Sequence, residues 1–338
     1  MAVSIASRLE CPTLLVLLAD GRLHSGEWLA KELAVSRAAV WKGVERLRHL
    51  GLAVKAMPRQ GYRLSTPVEL LDSRQICAQI DAQRRGRLRN LELLFEVDST
   101  NTRLLAATPP PCGSADVCLS ELQYAGRGRR GRRWIAPFGS GVVLSIAWTF
   151  GDGAHTLPAL SLAVGVAVAR AARRAGADGV MLKWPNDILF HGRKIGGVLI
   201  ELRTEAGGPA HVVIGVGINV TLPGQARTEI EAGGAPAAAL IDACGTAPSR
   251  NLVAGAILDE LLSMLAQFER EGFAAFKDAW SELDALSGRP ARVLLADTAI
   301  AGTARGVDPE GALLLETGDR VQRFVSGEVS LRVIEGAA

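Results

Sequence analysis

Leu14 to Ala19 is a short apolar helix that stops at Asp20-Gly21. Beyond it, Leu29 and Leu33 repeat at helical spacing behind Ser25, a suitable N-cap, with Glu27 in the first turn where the helix dipole favours an anion. Ala34-Val35-Ser36 makes a tight turn, and Ser36 caps the next helix. In that helix Val40, Val44 and Leu47 share one face, while Arg37, Ala38, Trp41, Lys42 and Glu45 share the other. Two short helices joined in this way predict a helix-turn-helix, whose second helix enters the DNA major groove. After Gly51, Leu52–Met57 and Tyr62–Leu64 read as strands around Pro58-Arg59-Gln60-Gly61, a hairpin with a basic tip that completes a winged helix. Ser36, Arg37, Trp41 and Lys42 are the candidate DNA contacts. An outward Trp41 between cations argues against a plain packing domain, and docking of a partner protein is the second reading. Ser65-Thr66-Pro67 is a hinge, since proline biases the residue before it away from helix.

From about Leu70 the pattern changes to strands alternating with helices. Strands fit Leu91–Val97, Val117–Leu122, Gly141–Trp148, Val180–Lys183, Val198–Leu202 and Val212–Val220, and Leu157–Arg174 is an Ala- and Val-rich buried helix. Asp98-Ser99-Thr100-Asn101 is a polar knot able to cap a helix. This alternation predicts a mixed α/β or α+β domain. Between Arg292 and Val333 the periods shorten to small strands: Val293–Leu295, Ile300–Val307, Ala312–Glu316 and Val321–Val325.

Composition narrows the class. The 338 residues are 48% hydrophobic and 22% charged with a formal charge of +3, so basicity is local. Gly, Arg or Asp interrupts each apolar run below membrane-spanning length, and no secretory leader pattern opens the chain, so no membrane partner is expected. The five cysteines (Cys11, Cys77, Cys112, Cys118, Cys244) are scattered without a C-x-x-C pair, which reads as reduced thiols of a cytoplasmic protein. The five histidines have no ligand spacing, and no protein metal site is expected.

The local basicity concentrates in GRGRRGRRW, residues 126 to 134, five arginines and three glycines between two strand-like stretches. A solvated loop, a nucleic-acid contact and closure over a small anion all fit this composition. Nucleic-acid binding calls for interleaved aromatics or a long tract, whereas glycines beside arginines let backbone N–H groups and guanidinium forks converge on one anion. A small phosphorylated ligand fits better, and no P-loop occurs to hold it. Further strand-end turns bring cations and glycines: Lys183-Trp184-Pro185-Asn186-Asp187, Gly192-Arg193-Lys194-Ile195-Gly196-Gly197, and Gly215-Val216-Gly217-Ile218-Asn219, where glycines inside a strand admit a ligand or another backbone.

In sequence and order these motifs resemble the biotin protein ligases. With a helix-turn-helix in front, the chain resembles their bifunctional form, ligase and biotin operon repressor, from about Leu14 to Val333. The resemblance implies an α+β multidomain fold. Residues 1–66 form a winged helix-turn-helix, 67–288 a mixed α/β catalytic domain akin to class II aminoacyl-tRNA synthetases, and 289–338 an SH3-like β-barrel. It also implies that biotin and ATP, with Mg2+, give biotinyl-5′-adenylate, from which biotin passes to a lysine of a biotin carboxyl carrier protein. Operator DNA and a ligand-promoted homodimer are the other implied partners. Ser99, Thr100, Asn101 and Gln123 would hold the biotin head, and Arg127, Gly128 and Arg129 would wrap its carboxylate–phosphate end. Lys183 would bridge that end, with Lys183 and Arg129 as the catalytic pair. Gly126, Gly131, Trp134, Asn186, Lys194 and Asn219 complete the expected ligand set. Attack of a carboxylate on a phosphate needs fixed cations and no covalent nucleophile, which agrees with the lack of a Ser-His-Asp or Cys-His pattern. Thr221–Arg250, rich in Ala, Gly and Pro, departs from the family's adenylate-side loop. The competing readings are a ligand-sensing transcription factor without ligase activity, a ligase whose first domain has lost DNA binding, and a lipoate-type ligase, which the arginine loop disfavours.

Overall fold

The computed structural model describes residues 4–6, 13–151, 157, 159–204, 209–234, 236–294, 298–325 and 330–333. Leu295, Pro158 and the chain ends fall outside them. The first described segment, β1 (Ser4–Ala6), pairs in parallel with Asn90 to Glu92. It therefore belongs to the central sheet rather than to the winged helix in which residues 1–66 were expected, because its backbone finds its partners there.

Helices α1 (Thr13–Leu18), α2 (Gly26–Glu32) and α3 (Arg37–His49) with the hairpin β2 (Val54–Met57) and β3 (Gly61–Leu64) build the winged helix. Ser25 and Ser36 cap α2 and α3 by accepting from the amides of Trp28 and Ala39. Val40, Val44 and Leu47 are buried against Leu14, Leu15, Leu18 and Leu29. Ser36, Arg37, Trp41 and Lys42 are exposed, and the Ser36 hydroxyl is already engaged as the cap. This small core does not close on itself: Phe95 and Phe138 of the central domain complete it, their rings 5.2 Å apart.

The central domain begins with the short helices α4 (Ser73–Ala78) and α5 (Ala82–Arg85). Its strands are β4 (Leu88–Val97), β5 (Ala115–Gln123), β6 (Gly141–Phe150), β7 (Val180–Lys183), β8 (Asp187–Phe190), β9 (Arg193–Thr204) and β10 (Ala210–Asn219), in the order β1-β4-β5-β6-β10-β9-β8-β7. Among the described strands of this sheet, β1/β4 and β4/β5 are the parallel pairs and the rest are antiparallel. The helices are α6 (Thr100–Leu105), α7 (Leu160–Arg174), α8 (Gly224–Ala232), α9 (Leu240–Cys244), α10 (Arg250–Glu271) and α11 (Lys277–Leu283). Side chains alternate across the sheet: Val117 and Leu119 enter the large core under α7 and α10, while Cys118, Ala147 and Val213 pack with Leu104 of α6 on the opposite face. The helical run Arg250–Leu283 is long and apolar enough on average to cross a membrane although Gly255, Asp259 and Glu260 interrupt it, as expected of every apolar run, and 72% of its apolar window is buried within the protein. It is the core helix of this domain.

The N-terminus of α10 fastens the linker to the sheet. Arg250 and Glu121, 4% and 3% exposed, form an ion pair at 2.7 Å. Glu121 also accepts from the Leu71 amide at 2.6 Å, and Arg250 donates to the carbonyls of Gly141 (2.9 Å) and Glu69 (2.7 Å). One pair thus holds the linker, β5, β6 and α10 together.

Strands β11 (Pro290–Leu294), β12 (Ala299–Val307), β13 (Leu313–Thr317), β14 (Arg320–Phe324) and β15 (Ser330–Val333) form a five-stranded antiparallel sheet in the order β14-β13-β12-β11-β15. It docks through Trp184, whose Nε1 donates to the Gly311 carbonyl at 3.1 Å, and through the connector, where the Ala285 amide donates to the Leu182 carbonyl. In this seam Asp284 is 8% exposed: one carboxylate oxygen accepts from the Leu286 amide, and the other is buried without a partner among the described residues. Burial pushes its pKa up to about 6, against the pull of that amide.

Two outcomes are expected. Arg250→Met leaves the Glu121 carboxylate buried and uncompensated, so stability falls by about 3–5 kcal/mol in urea unfolding, whereas Glu121→Leu with Arg250→Met recovers much of that loss. A double variant as unstable as the single one would refute this. For Asp284 the folded pKa lies above the unfolded one, so its contribution is full below pH 4 and is lost as pH rises through about 6. Asp284→Asn should therefore be more stable than the parent above pH 7, by roughly 2–3 kcal/mol, with the gap closing towards pH 4. A gap independent of pH rules this out.

Candidate active site

One cavity of about 1240 Å³ opens on the α6 face of the central sheet. Its floor is set by glycines in register: Gly215 of β10 lies opposite Ser145 and Leu199, and Gly217 lies opposite Val143 and Gly197. A Cβ on Gly215 would overlap the Asn101 amide, and one on Gly217 would overlap the Trp134 indole. On Gly197 a Cβ would press within 3.3 Å of the end of the Lys194 side chain. Gly215 and Gly217 were expected to admit a ligand or a backbone. Together with Gly197 they admit three side chains of the site, because only a bare Cα leaves room for a group lying flat on the sheet.

The polar end is built at the start of α6. Ser99 occupies the N-cap position but makes no side-chain cap bond, and its own amide donates to the Asp98 carboxylate at 2.7 Å. The expected capping knot therefore spends Asp98 and leaves Ser99, Thr100 and Asn101, each at most 4% exposed, at the cavity wall. Gln123 Oε1 accepts from the Thr100 amide (2.8 Å) and lies 3.1 Å from the Thr100 hydroxyl oxygen.

The arginine loop is a small closed hairpin. Arg127 and Arg133 pair as an isolated antiparallel bridge, the Gly128 amide donates to the Arg132 carbonyl at 2.7 Å, and the Trp134 amide donates to the Gly126 carbonyl at 2.9 Å. Arg130 (φ 56°) and Gly131 (φ 71°) turn its tip through the left-handed region. Arg127, Gly128, Arg129 and Trp134 reach the wall, whereas Gly126 and Gly131 stand back from it and shape the hairpin. Arg129, half-buried, donates to Asn186 Oδ1 at 3.2 Å. Burial first, then the neighbouring Arg130 charge, push its pKa below the usual guanidinium value, while Asp187 opposes them. An anion arriving here relieves that penalty.

Opposite the loop, Lys183 at the end of β7 and Lys194 of β9 share one carboxylate, that of Asp187 in β8. Lys194 Nζ meets Asp187 Oδ1, and Lys183 Nζ lies 3.7 Å from Asp187 Oδ2. Asn186 bridges loop and sheet by donating to the Val198 carbonyl at 2.8 Å, and buried Asn219 donates to Ala238 at 3.0 Å. Lys183, Lys194, Asn186 and Asn219 all border the cavity. So do Glu229, Ile230, Gly233, Gly234 and Pro236, from the segment that departs from the family pattern.

The sequence reading missed Ser145, fully buried beneath Thr100 and Asn101, and Glu201, which takes hydrogen bonds from Asn101 and Arg127. Both lie in strands whose alternation marked them only as one face or the other. A carboxylate in the apolar run Val198–Leu202 was the available signal.

Comparison with known proteins agrees with this geometry. Residues 95–219 match the biotin/lipoate A/B protein ligase family, 286–332 the biotin protein ligase C-terminal domain, and 13–63 an HTH domain. The chain is 39% identical over 323 residues to the bifunctional ligase/repressor BirA of Salmonella typhimurium, covering 96% of this chain and 98% of that protein. It is 33% identical over 267 residues to the biotin–[acetyl-CoA-carboxylase] ligase of Mycobacterium tuberculosis, covering 77% of this chain and 95% of that one. Among solved structures, the biotin protein ligase of Aquifex aeolicus in complex with biotin and ATP superposes with a TM-score of 0.61 at 28% identity, covering 73% of this chain and all of that one. A cavity floored by strand glycines, walled by an arginine hairpin and a lysine pair, and preceded by a winged helix places the chain in the biotin protein ligase family, in its bifunctional ligase/repressor form.

Proposed function

We propose that the cavity binds biotin and ATP side by side, joins them as biotinyl-5′-adenylate, and passes biotin to a lysine of a carboxyl carrier protein in the cytoplasm. The observation that carries this reading is the division of one cavity into a neutral, hydrogen-bonding end and a cationic end. Ser99, Thr100, Asn101 and Gln123 suit the uncharged polar head of biotin. Arg127, Arg129, Lys183 and Lys194 suit its carboxylate together with the phosphates of ATP, and Ile230 with its neighbours borders the place left for adenine.

Attack of the biotin carboxylate on the α-phosphorus brings two anions together and expels pyrophosphate. Fixed guanidinium and ammonium groups lower that barrier without a covalent intermediate on the protein. The acceptor amine then attacks the acyl carbon, and AMP leaves. Magnesium is usually bound through one or two carboxylates besides the phosphates, and the carboxylates bordering this cavity are Asp187, which Lys183 and Lys194 share, Glu229 and Asp284. The Mg2+–ATP complex therefore fits the donors present.

The exposed face of α3, with Arg37, Trp41 and Lys42, suits operator DNA, and the wing adds Arg59 at its tip. A ligand-promoted homodimer matches a two-fold operator.

Lys183→Ala should reduce biotin- and ATP-dependent pyrophosphate release by about 10²-fold or more with an unchanged unfolding midpoint, and Lys194→Ala, on the same carboxylate, should do likewise. Near-normal release in the Lys183 variant removes it from the catalytic set. Arg37→Ala with Lys42→Ala should weaken binding to an operator-like duplex and flatten its salt dependence while ligation continues. Sedimentation with and without biotin and ATP reads the dimer directly. Equal duplex binding by parent and variant, or an unchanged sedimentation coefficient, contradicts the respective assignment.

A further inference from the structure

Glu201 projects from β9 on the cavity side but stops behind the wall, in the row it shares with Val213 of β10. A single oxygen of its carboxylate, Oε2, accepts from Asn101 Nδ2 at 2.8 Å and from Arg127 Nη2 at 2.8 Å. One of these partners is fixed to the scaffold and 4% exposed; the other belongs to the hairpin. Both border the cavity.

The chemistry of the acceptor orders everything beyond it. A carboxylate only accepts, so the Asn101 amide must turn its NH₂ towards Glu201 and its oxygen away. That oxygen lies 2.5 Å from Ser145 Oγ and takes the single hydroxyl proton of that serine. Thr100 Oγ1, 2.7 Å from Ser145 Oγ, is then the donor of its own pair. Gln123 Oε1 is occupied by the Thr100 amide at 2.8 Å, which leaves the Gln123 amide nitrogen as the group offered to a ligand. A chain of hydrogen bonds therefore runs from Glu201 through Asn101 and Ser145 to the Thr100 hydroxyl. Its sense is set at Asn101, whose amide nitrogen faces Glu201 and, at 3.4 Å, the Leu199 carbonyl.

We propose that Glu201 is a positioning residue of the biotin site, holding Arg127 over the cavity and fixing the donor–acceptor sense of Asn101 without touching the ligand. The inference rests on the biotin-binding reading above. Arg127 has many rotamers, and a guanidinium already held by a carboxylate loses less freedom when a ligand arrives.

Glu201→Gln separates the two tasks. Its amide oxygen still accepts from Asn101, but the charge that holds Arg127 is gone. Biotin titration should show about three- to tenfold weaker binding, and pyrophosphate release a higher KM for biotin with kcat within twofold. The defect should be larger at low ionic strength, and the unfolding midpoint should not move. In an Arg127→Ala background the same change should have no further effect, because the partner through which Glu201 acts is absent. Glu201→Asp, which keeps the charge on a shorter stem, should fall between parent and Gln variant. Parent-like biotin binding by Glu201→Gln overturns the proposal, as do penalties that add in the double variant or a loss that falls on kcat alone. Failure of the parent protein itself to bind biotin overturns the reading of the site instead.

Discussion

The buried Arg250–Glu121 pair is the constraint on which the arrangement depends. Two charges taken out of water are tolerated only where every remaining lone pair and N–H finds a partner. Arg250 Nη2 and Glu121 Oε2 have only their mutual ion pair at 2.7 Å and no hydrogen bond among the described residues, while most of the pair's polar atoms are taken by the Leu71 amide and the carbonyls of Glu69 and Gly141. Those groups belong to the linker leaving the winged helix and to the first residue of β6. Satisfying the pair therefore fixes where the linker runs and where β6 begins. Phe138, three residues before β6, is thereby held in the core of the winged helix beside Phe95. The arginine hairpin ends only four residues earlier, at Trp134. The DNA-facing unit and the ligand-facing loop are thus attached to the same short segment.

The second constraint is space on the sheet. A cavity that must hold an amide, an indole and a lysine tail against a strand surface cannot tolerate side chains beneath them. Gly215, Gly217 and Gly197 clear that surface, and the register of β6, β10 and β9 brings the cleared positions together. The charges lie above this floor: arginines from the hairpin on one side, and the lysines that share Asp187 on the other. The site is preorganised by packing, and its cations converge on one volume from separate elements.

The order of elements, the winged helix, the arginine loop and the lysine-bearing strand end were legible in the sequence because each rests on local rules. Helical spacing placed Val40, Val44 and Leu47 inward, and Ser25 and Ser36 served as caps as their position suggested. Ser99 did not: it stands at the N-cap position of α6 but makes no side-chain cap bond. The strands β8 and β1 were not foreseen, nor were β15 and the helices α4, α5, α8, α9, α10 and α11. The first two are only four and three residues long, and α8 and α9 lie in a segment rich in Ala, Gly and Pro.

What the sequence determined by itself was what spacing and residue type carry: the helices of the winged helix, the main strands of the central sheet and its buried helix α7, where charge collects, and that the chemistry needs cations rather than a nucleophile. Which of those residues meet was decided by the tertiary structure. Asn101 and Glu201 are separated by 100 positions yet share a hydrogen bond, and Arg250 reaches the Gly141 carbonyl across 109. Strand alternation offers each side chain two faces and does not say what waits on either. Only the pairing of β6, β10 and β9 puts a glycine beneath Asn101 and a carboxylate behind it. Such contacts depend on register, and register is a property of the assembled sheet.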